Sequence, residues 1–244
     1  MERLNVTINL TPEYGVETIE VPADYHSNVM SLLKYVISKH NYQLYEHLFM
    51  HNTPKLYTWA FNFPKSSQFM PGGTVELYNM RLSLRMGFAD PELAREFHDA
   101  FVMNSNPDKK LFGQDFHITS VHQFAVGYNV IDSARLKTVS NIACEVKDEE
   151  DKALFIKPSD PEYKLELENL LRTKAEMLGM DVYNSQISID VSGLHTVYNS
   201  IYGAKLPVAR GEITLSGDDD LIEIAMAGGI GSITGSGFGM LKQV

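Results

Sequence analysis

The chain has 244 residues, 44% of them hydrophobic, with 21 basic against 31 acidic residues and a formal net charge of −10. That length suits one large domain or two of about 100 to 130 residues, either able to bury a core. A single cysteine, Cys144, excludes an intrachain disulfide and a cysteine-rich zinc site and suits a reducing compartment, and no apolar run approaches the roughly 18 residues of a membrane span.

Taken in chain order, residues 4–10 alternate aliphatic with polar side chains and read as a half-buried strand. Residues 28–45 follow as a helix, with Ser27 or Asn28 as cap and Val29, Leu32, Leu33, Val36 and Ile37 as its apolar stripe. The aromatic run KLYTWAFNF at 55–63 alternates as a strand, and Gly72 and Gly73 separate it from a second alternating run at 74–85. Asp90 and Pro91 open a helix through residue 101, and residues 116–126 return as a strand. Strand, helix, strand, strand, helix, strand is the ferredoxin-like plan.

The second half repeats that order less clearly. Residues 136–146 and 153–156 are strand candidates on either side of the acidic run EVKDEED. Residues 161–178 carry the most concordant helix signals, with Asp160 as cap, Pro161 in the first turn, and Leu165, Leu167, Leu170, Leu171, Ala175 and Leu178 before Gly179. Residues 185–191, 208–215 and 221–227 then read as strands, followed by a glycine-rich hairpin loop and a last strand at 238–242. The expected class is α+β, with two tandem ferredoxin-like (βαββαβ) domains at 1–128 and 129–244 and no linker between them.

The glycine-rich segment, GGIGSITGSGFGM at 228–240, places six glycines in thirteen positions. Such a cluster permits positive φ and close backbone approach, and its N–H groups are suited to cradling a phosphate. It is neither a Rossmann nor a Walker loop, because no helix follows and the Walker lysine is missing. The spacing of Gly229, Ile230, Gly231, then Gly237, Phe238, Gly239, resembles the C-terminal signature of the RAMP superfamily of CRISPR systems. Its place near the end of the sequence resembles the Cas-six family, the endoribonucleases that process CRISPR repeat transcripts. VSNIACEV at 139–146, the strand and long helix at 153–176, and PVARGEITLSG at 207–217 resemble that family's passages in the same order.

The resemblance implies binding of CRISPR repeat RNA and its cleavage without a metal or other cofactor, by attack of a ribose 2′-OH on the adjacent phosphate. The products are a 2′,3′-cyclic phosphate and a 5′-OH. Such a step needs a base, a proton for the departing oxygen and a cation at the phosphate. The candidates are Tyr35 and Lys55 together with a histidine, His51 first and His47 second, with His26, His40 or no catalytic histidine as the remaining alternatives. Aligning on the PKL segment puts Phe49 at the family's histidine position, and a shorter loop before Lys55 brings His51 into register. For RNA the resemblance points to Gly229, Gly231, Ser232, Thr234, Gly235, Ser236, Gly237 and Gly239, and Lys205 and Arg210 add positive charge. The alternative is a RAMP subunit without catalysis that scaffolds a CRISPR effector complex with other subunits. A homodimer is compatible with either.

Each candidate also has a plainer reading. Tyr35 shares the apolar side of its helix and suits a buried tyrosine, Lys55 suits a surface lysine at a strand start, and the HxxxH spacing of His47 and His51 lacks the glutamate of HExxH. Tyr57, Trp59, Phe61 and Phe63 share one face, suited to helix packing more than to base stacking. The acidic balance argues against RNA, since nucleic-acid binders display a basic footprint, but the acids cluster at 145–151 and 218–220, where they read as solvated loop and turn. Lys34, Lys39, Lys65, Arg81 and Arg85 leave material for a basic groove. Residues 1–7 do not read as a signal peptide, so a cytoplasmic protein with no membrane partner is expected.

Overall fold

The computed structural model describes every residue except 52, 128–131, 148–149 and 202. Strand β1 (Glu2–Thr11) buries Leu4, Val6, Ile8 and Leu10 on one face, and β2 (Ile19–Pro22) follows. Helices α1 (His26–His40) and α2 (Tyr42–Phe49) replace the single helix expected over 28–45. The chain breaks at Asn41, whose backbone is extended at φ −148 and whose side-chain oxygen accepts from Leu44 N at 3.1 Å. An asparagine side chain competes with the helix backbone in this way and caps a new helix.

Strand β3 (Tyr57–Asn62) is followed by β4 (Gln68–Met70), β5 (Thr74–Leu77) and β6 (Arg81–Phe88), then by α3 (Pro91–Met103) and β7 (Asp115–Ala125). The run expected as one strand at 74–85 thus serves two sheets. β2, β5 and β4 form a small antiparallel sheet, whereas β6 joins the main one, ordered β3-β6-β1-β7. That antiparallel order is the ferredoxin-like arrangement. α1 and α3 pack side by side over its core, which Trp59, Phe88, Phe97 and Phe101 help to fill.

The second half holds β8 (Ser133–Thr138), a hairpin of β9 (Glu145–Lys147) and β10 (Ala153–Phe155), α4 (Tyr163–Met177), β11 (Ile187–Asp190), β12 (Leu194–Ile201), β13 (Ala204–Gly217), α5 (Asp219–Gly228) and β14 (Leu241–Gln243). Its sheet runs β11-β13-β8-β14, the same plan as the first. Both β12, which the sequence did not announce, and β11 pair with the long β13. The domain boundary at 128/129 lies outside the described residues.

One expectation is reversed. Residues 221–227, read as a strand, form α5, so the glycine segment joins a helix to a strand and is no hairpin loop. Asp218 stands at the helix N-cap, and Asp219 and Asp220 occupy the first turn, where carboxylates favour the positive end of the helix dipole. Leu221, Ile222, Ile224, Ala225, Met226 and Ala227 are all buried, because α5 packs against its own sheet and against β3 and β6 of the first domain. With only Glu223 exposed after the first turn, the 3.6-residue stripe that marks a surface helix is widened over most of the helix.

Arg3 crosses the same seam. Its guanidinium Nη2 donates to Met226 O at 2.5 Å and Leu241 O at 3.2 Å, tying β1 to the end of α5 and to β14. No helix among the described residues is long and apolar enough to cross a membrane.

Candidate functional site: a cleft at the domain seam

A cleft of about 230 Å³ opens where α1, α2, the start of β3 and the glycine segment meet. His51 and Lys55 both line it, as do Lys34 of α1, Phe49 of α2, Ser232 and Ser236. Among the described residues, no carboxylate lines the cleft. Lys55 is half-buried, and its Nζ donates to His51 O at 2.9 Å and to Thr53 Oγ1 at 3.3 Å, which fixes the turn carrying the exposed His51. Burial holds the Lys55 ammonium below its ordinary pKa of 10.5, since the charged form loses water. Lys34 Nζ lies 5.8 Å from the centre of the Phe49 ring, giving the cleft a second cation over an aromatic wall.

The other two catalytic candidates do not join this group. Tyr35 sits outside the cleft lining, with Lys39 and Lys109 at 5.9 and 5.7 Å from its ring. His47 is exposed on α2, away from the lining. His26 is buried, stacked between Tyr25 and Phe238 at 4.5 and 5.0 Å. Phe49, Thr53 and Tyr57 line the cleft without having been singled out for chemistry. Their sequence signal was only their closeness to Lys55, which an alternating aromatic strand obscures.

The glycine segment is a buried brace more than an exposed cradle. Gly229, Gly231, Gly235, Gly237 and Gly239 are all buried, and so is Thr234. Only Ser232, Ile233 and Ser236 of residues 229–240 are partly exposed, the two serines as hydroxyls at the cleft. Thr58 Oγ1 donates to Phe238 O at 2.6 Å and Trp59 Nε1 to Gly235 O at 2.7 Å, so β3 grips the segment directly. Two glycines allow this approach. A Cβ on Gly237, whose φ is +92, would lie 2.7 Å from the Trp59 ring, and one on Gly235 would lie 2.7 Å from the Lys55 side chain.

Lys205 and Arg210 lie elsewhere. Lys205 Nζ stands 5.2 Å from the Tyr198 ring, and Arg210 lines a separate notch with Lys137 and His195. A second groove, of about 220 Å³, runs along the seam between the two sheets and is lined by Arg3, Arg85 and Lys242, with no carboxylate among the described residues. Asp132, Asp181, Asp218, Asp219 and Asp220 line one hollow at the start of α5, and Glu145 and Glu166 line another, with Lys147, that shares Thr53 and Ser232 with the cleft. The net charge of −10 therefore does not describe the lining of the cleft itself, although carboxylates stand next to it. Among the described residues, no group of three or more His, Cys, Asp or Glu side chains is placed to hold a metal ion.

Residues 128–243 match the family model of the CRISPR associated protein Cas6, C-terminal. No curated protein sequence matches the chain. Among solved structures it is similar to a RAMP protein described as binding different RNA substrates, with 17% identity over all of both chains and a TM-score of 0.83. It is also similar to the product of a Cas6-related gene from Pyrococcus furiosus, with 14% identity over 99% of this chain and 98% of that one and a TM-score of 0.82. A Cas6 product complex matches at 16% identity over 100% of this chain and 99% of that one, with a TM-score of 0.65. At these identities the structural likenesses speak for the fold, tandem ferredoxin-like domains, across the whole chain.

Proposed function

Residues 128–243 of this chain match the Cas6 C-terminal family model and the whole chain has the fold of Cas6 and RAMP structures, and on that premise we propose that it is an endoribonuclease that binds and cuts CRISPR repeat RNA. The observation that carries the reading is a segregation of charge. A chain of net charge −10 gathers His51, Lys34 and Lys55 along one cleft, with two serine hydroxyls and, among the described residues, no carboxylate in its lining. The groove of Arg3, Arg85 and Lys242 supports a path for the RNA backbone along the seam. We take residues 1–128 as the half that supplies the reacting groups and 129–244 as the half that braces them.

In this reading the RNA lies across the cleft with the scissile phosphate between His51 and Lys55. The imidazole of His51 accepts the proton of the ribose 2′-OH, whose oxygen attacks phosphorus. The P–O5′ bond breaks and the departing oxygen takes a proton from solvent water, so that the products are a 2′,3′-cyclic phosphate and a 5′-OH. A histidine serves this exchange because its ordinary pKa lies close to working pH. Lys55 and Lys34 oppose the rising negative charge of the phosphorane as point charges. Lys55 is already partly stripped of water, which strengthens its attraction to a phosphate. Ser232 and Ser236 donate to neighbouring phosphate oxygens. Tyr35 and His47 have no assigned part, as neither lines the cleft. None of these steps calls for a metal.

The test is cleavage of end-labelled cognate repeat RNA in EDTA by the unaltered protein, His51→Ala, His47→Ala and Lys55→Met, with a 2′-deoxy substitution at the cut site. One cut that survives EDTA, needs the 2′-OH and disappears in His51→Ala establishes the reaction and its base. Binding without a cut assigns the chain to the scaffolding role and withdraws His51. Loss in His47→Ala alone moves the base to α2.

A further inference from the structure

Lys174 is buried to 1% exposure in the last turn of α4, an unusual place for a lysine with no acidic partner among its hydrogen bonds. Its Nζ donates to Gly228 O at 3.1 Å, Gly229 O at 2.8 Å and Thr234 Oγ1 at 3.2 Å. An ammonium has three N–H donors, and three acceptors meet it here. Burying such a charge is costly, so its surroundings must use it.

They do, because α5 ends in the interior. The last carbonyls of a helix have no partner within it and carry the negative end of its dipole. Gly229 at the C-cap makes no capping backbone bond, and α5 has no basic residue in its last turn. Two cations from elsewhere take that place: Arg3 on Met226 O, and Lys174 on Gly228 O and Gly229 O. The third Lys174 bond continues toward the cleft. Thr234 accepts from Lys174 and has one hydroxyl proton to give, which goes to Lys55 O at 3.2 Å. Lys55 Nζ in turn holds His51 O.

We infer that Lys174 is a positioning residue for the cleft: through Gly228, Gly229 and Thr234 it seats the glycine segment against β3 and so sets the main chain that carries Lys55 and His51. The inference rests on the cleavage reading for its effect on rate, but the seating of the segment has a reporter of its own. Trp59 is the only tryptophan in the chain, and its indole N–H bonds to Gly235 O.

The experiment compares the unaltered protein with Lys174→Met, Thr234→Val and the double variant, at a temperature well below unfolding. It measures repeat-RNA affinity, the single-turnover cutting rate at saturating protein, and Trp59 emission. The expected result is RNA affinity within about threefold of the unaltered protein and cutting slowed at least tenfold in each single variant. The double variant is no slower than the slower single one, and Trp59 emission moves to the red. A merely structural residue would lower the unfolding temperature and leave the cutting rate of the folded fraction unchanged, and that outcome overturns the inference. If the unaltered protein does not cut, the cleavage reading fails on its own. Trp59 emission then decides: a shift in Lys174→Met supports the inference and unchanged emission overturns it. Should Lys174→Met fail to fold, Thr234→Val carries the same criteria, since it removes one hydroxyl and keeps the buried volume.

Discussion

α3 and α5 hold the same place in the two ferredoxin-like domains, yet they are stabilised in opposite ways. α3 is self-sufficient. Asp90 caps its N-terminus by accepting from Glu92 N at 2.9 Å, the Asn104 side chain donates to Ala100 O at 2.8 Å near its end, and it buries one stripe of Leu93, Ala94, Phe97, Ala100 and Phe101. α5 is buried on nearly every side, and its last carbonyls are met by Arg3 and Lys174 from distant parts of the chain. The second copy of the plan has given up independence in order to form a seam, and the cleft lies where that seam reaches the surface.

If chemistry follows the seam, its largest consequence falls on the histidines. His51→Ala is expected to slow RNA cutting roughly 100- to 10,000-fold. His98→Ala on α3, where the ring pairs with Asp99 at 2.9 Å, is expected to change it less than about twofold. Single-turnover rates at saturating protein check both, and equal losses would break the comparison.

Glycines after the two helices give the next contrast. Gly113 and Gly237 both have positive φ, +77 and +92, but a Cβ on Gly113 meets nothing within 4 Å, whereas one on Gly237 meets the Trp59 ring. Gly237→Ala is expected to cost about 2 to 4 kcal/mol through strain and overpacking together. Gly113→Ala should cost about 1 kcal/mol, from conformation alone. Urea midpoints measure both, and an equal cost would mean that Trp59 yields freely.

A third contrast is in pH. Burial pushes the Lys174 ammonium from 10.5 down to about 7. Between those values the unfolded chain holds a proton that the folded chain has released, so stability rises with pH through this window, by at most about 1.4 kcal/mol per pH unit. Below about pH 7 both states are protonated and the full penalty of the buried charge is present. From about pH 7 to 8.5 the unaltered protein should therefore gain stability relative to Lys174→Met in paired urea titrations. At higher pH the Cys144 thiol, raised above its ordinary 9.0 by burial and then by Glu166 and Glu145, lowers the stability of both proteins alike, so it cancels in the paired comparison. The smallest effect belongs to the independent helix: Asp90→Ala is expected to cost about 1 kcal/mol, with no change in cutting rate.

The same pair of helices shows what a sequence can disclose. α3 was legible because its cap, its first-turn proline and its single apolar stripe all depend on residues next to one another. α5 was not, because its surroundings come from β3, β6 and β13, and in LIEIAMA a single exposed Glu223 among buried apolar residues leaves too little contrast to separate a helical period from an alternating one. The break at Asn41 and the strand β12 were missed for a related reason, since each rests on a contact that competes with local pattern. At the cleft, His51 and Lys55 were named from the family resemblance, and both line it. Lys174 was hidden within the helical run LLRTKAEM, where a lysine gives no sign that it points inward. The glycines suggested an open cradle where the structure has a buried brace, because glycine permits both exposure to a ligand and close packing against a ring.

Arg3 reaches Met226 O and Leu241 O, more than 220 positions along the chain, and that span has a consequence in time. During synthesis the β3-β6-β1-β7 sheet has all its strands once residue 125 has emerged, while α5 begins only at residue 219. At ribosomal rates that interval is on the order of ten seconds. Through it, the flank of β3 that carries Thr58 and Trp59 waits without its cover, and the seam closes as one of the last acts of folding.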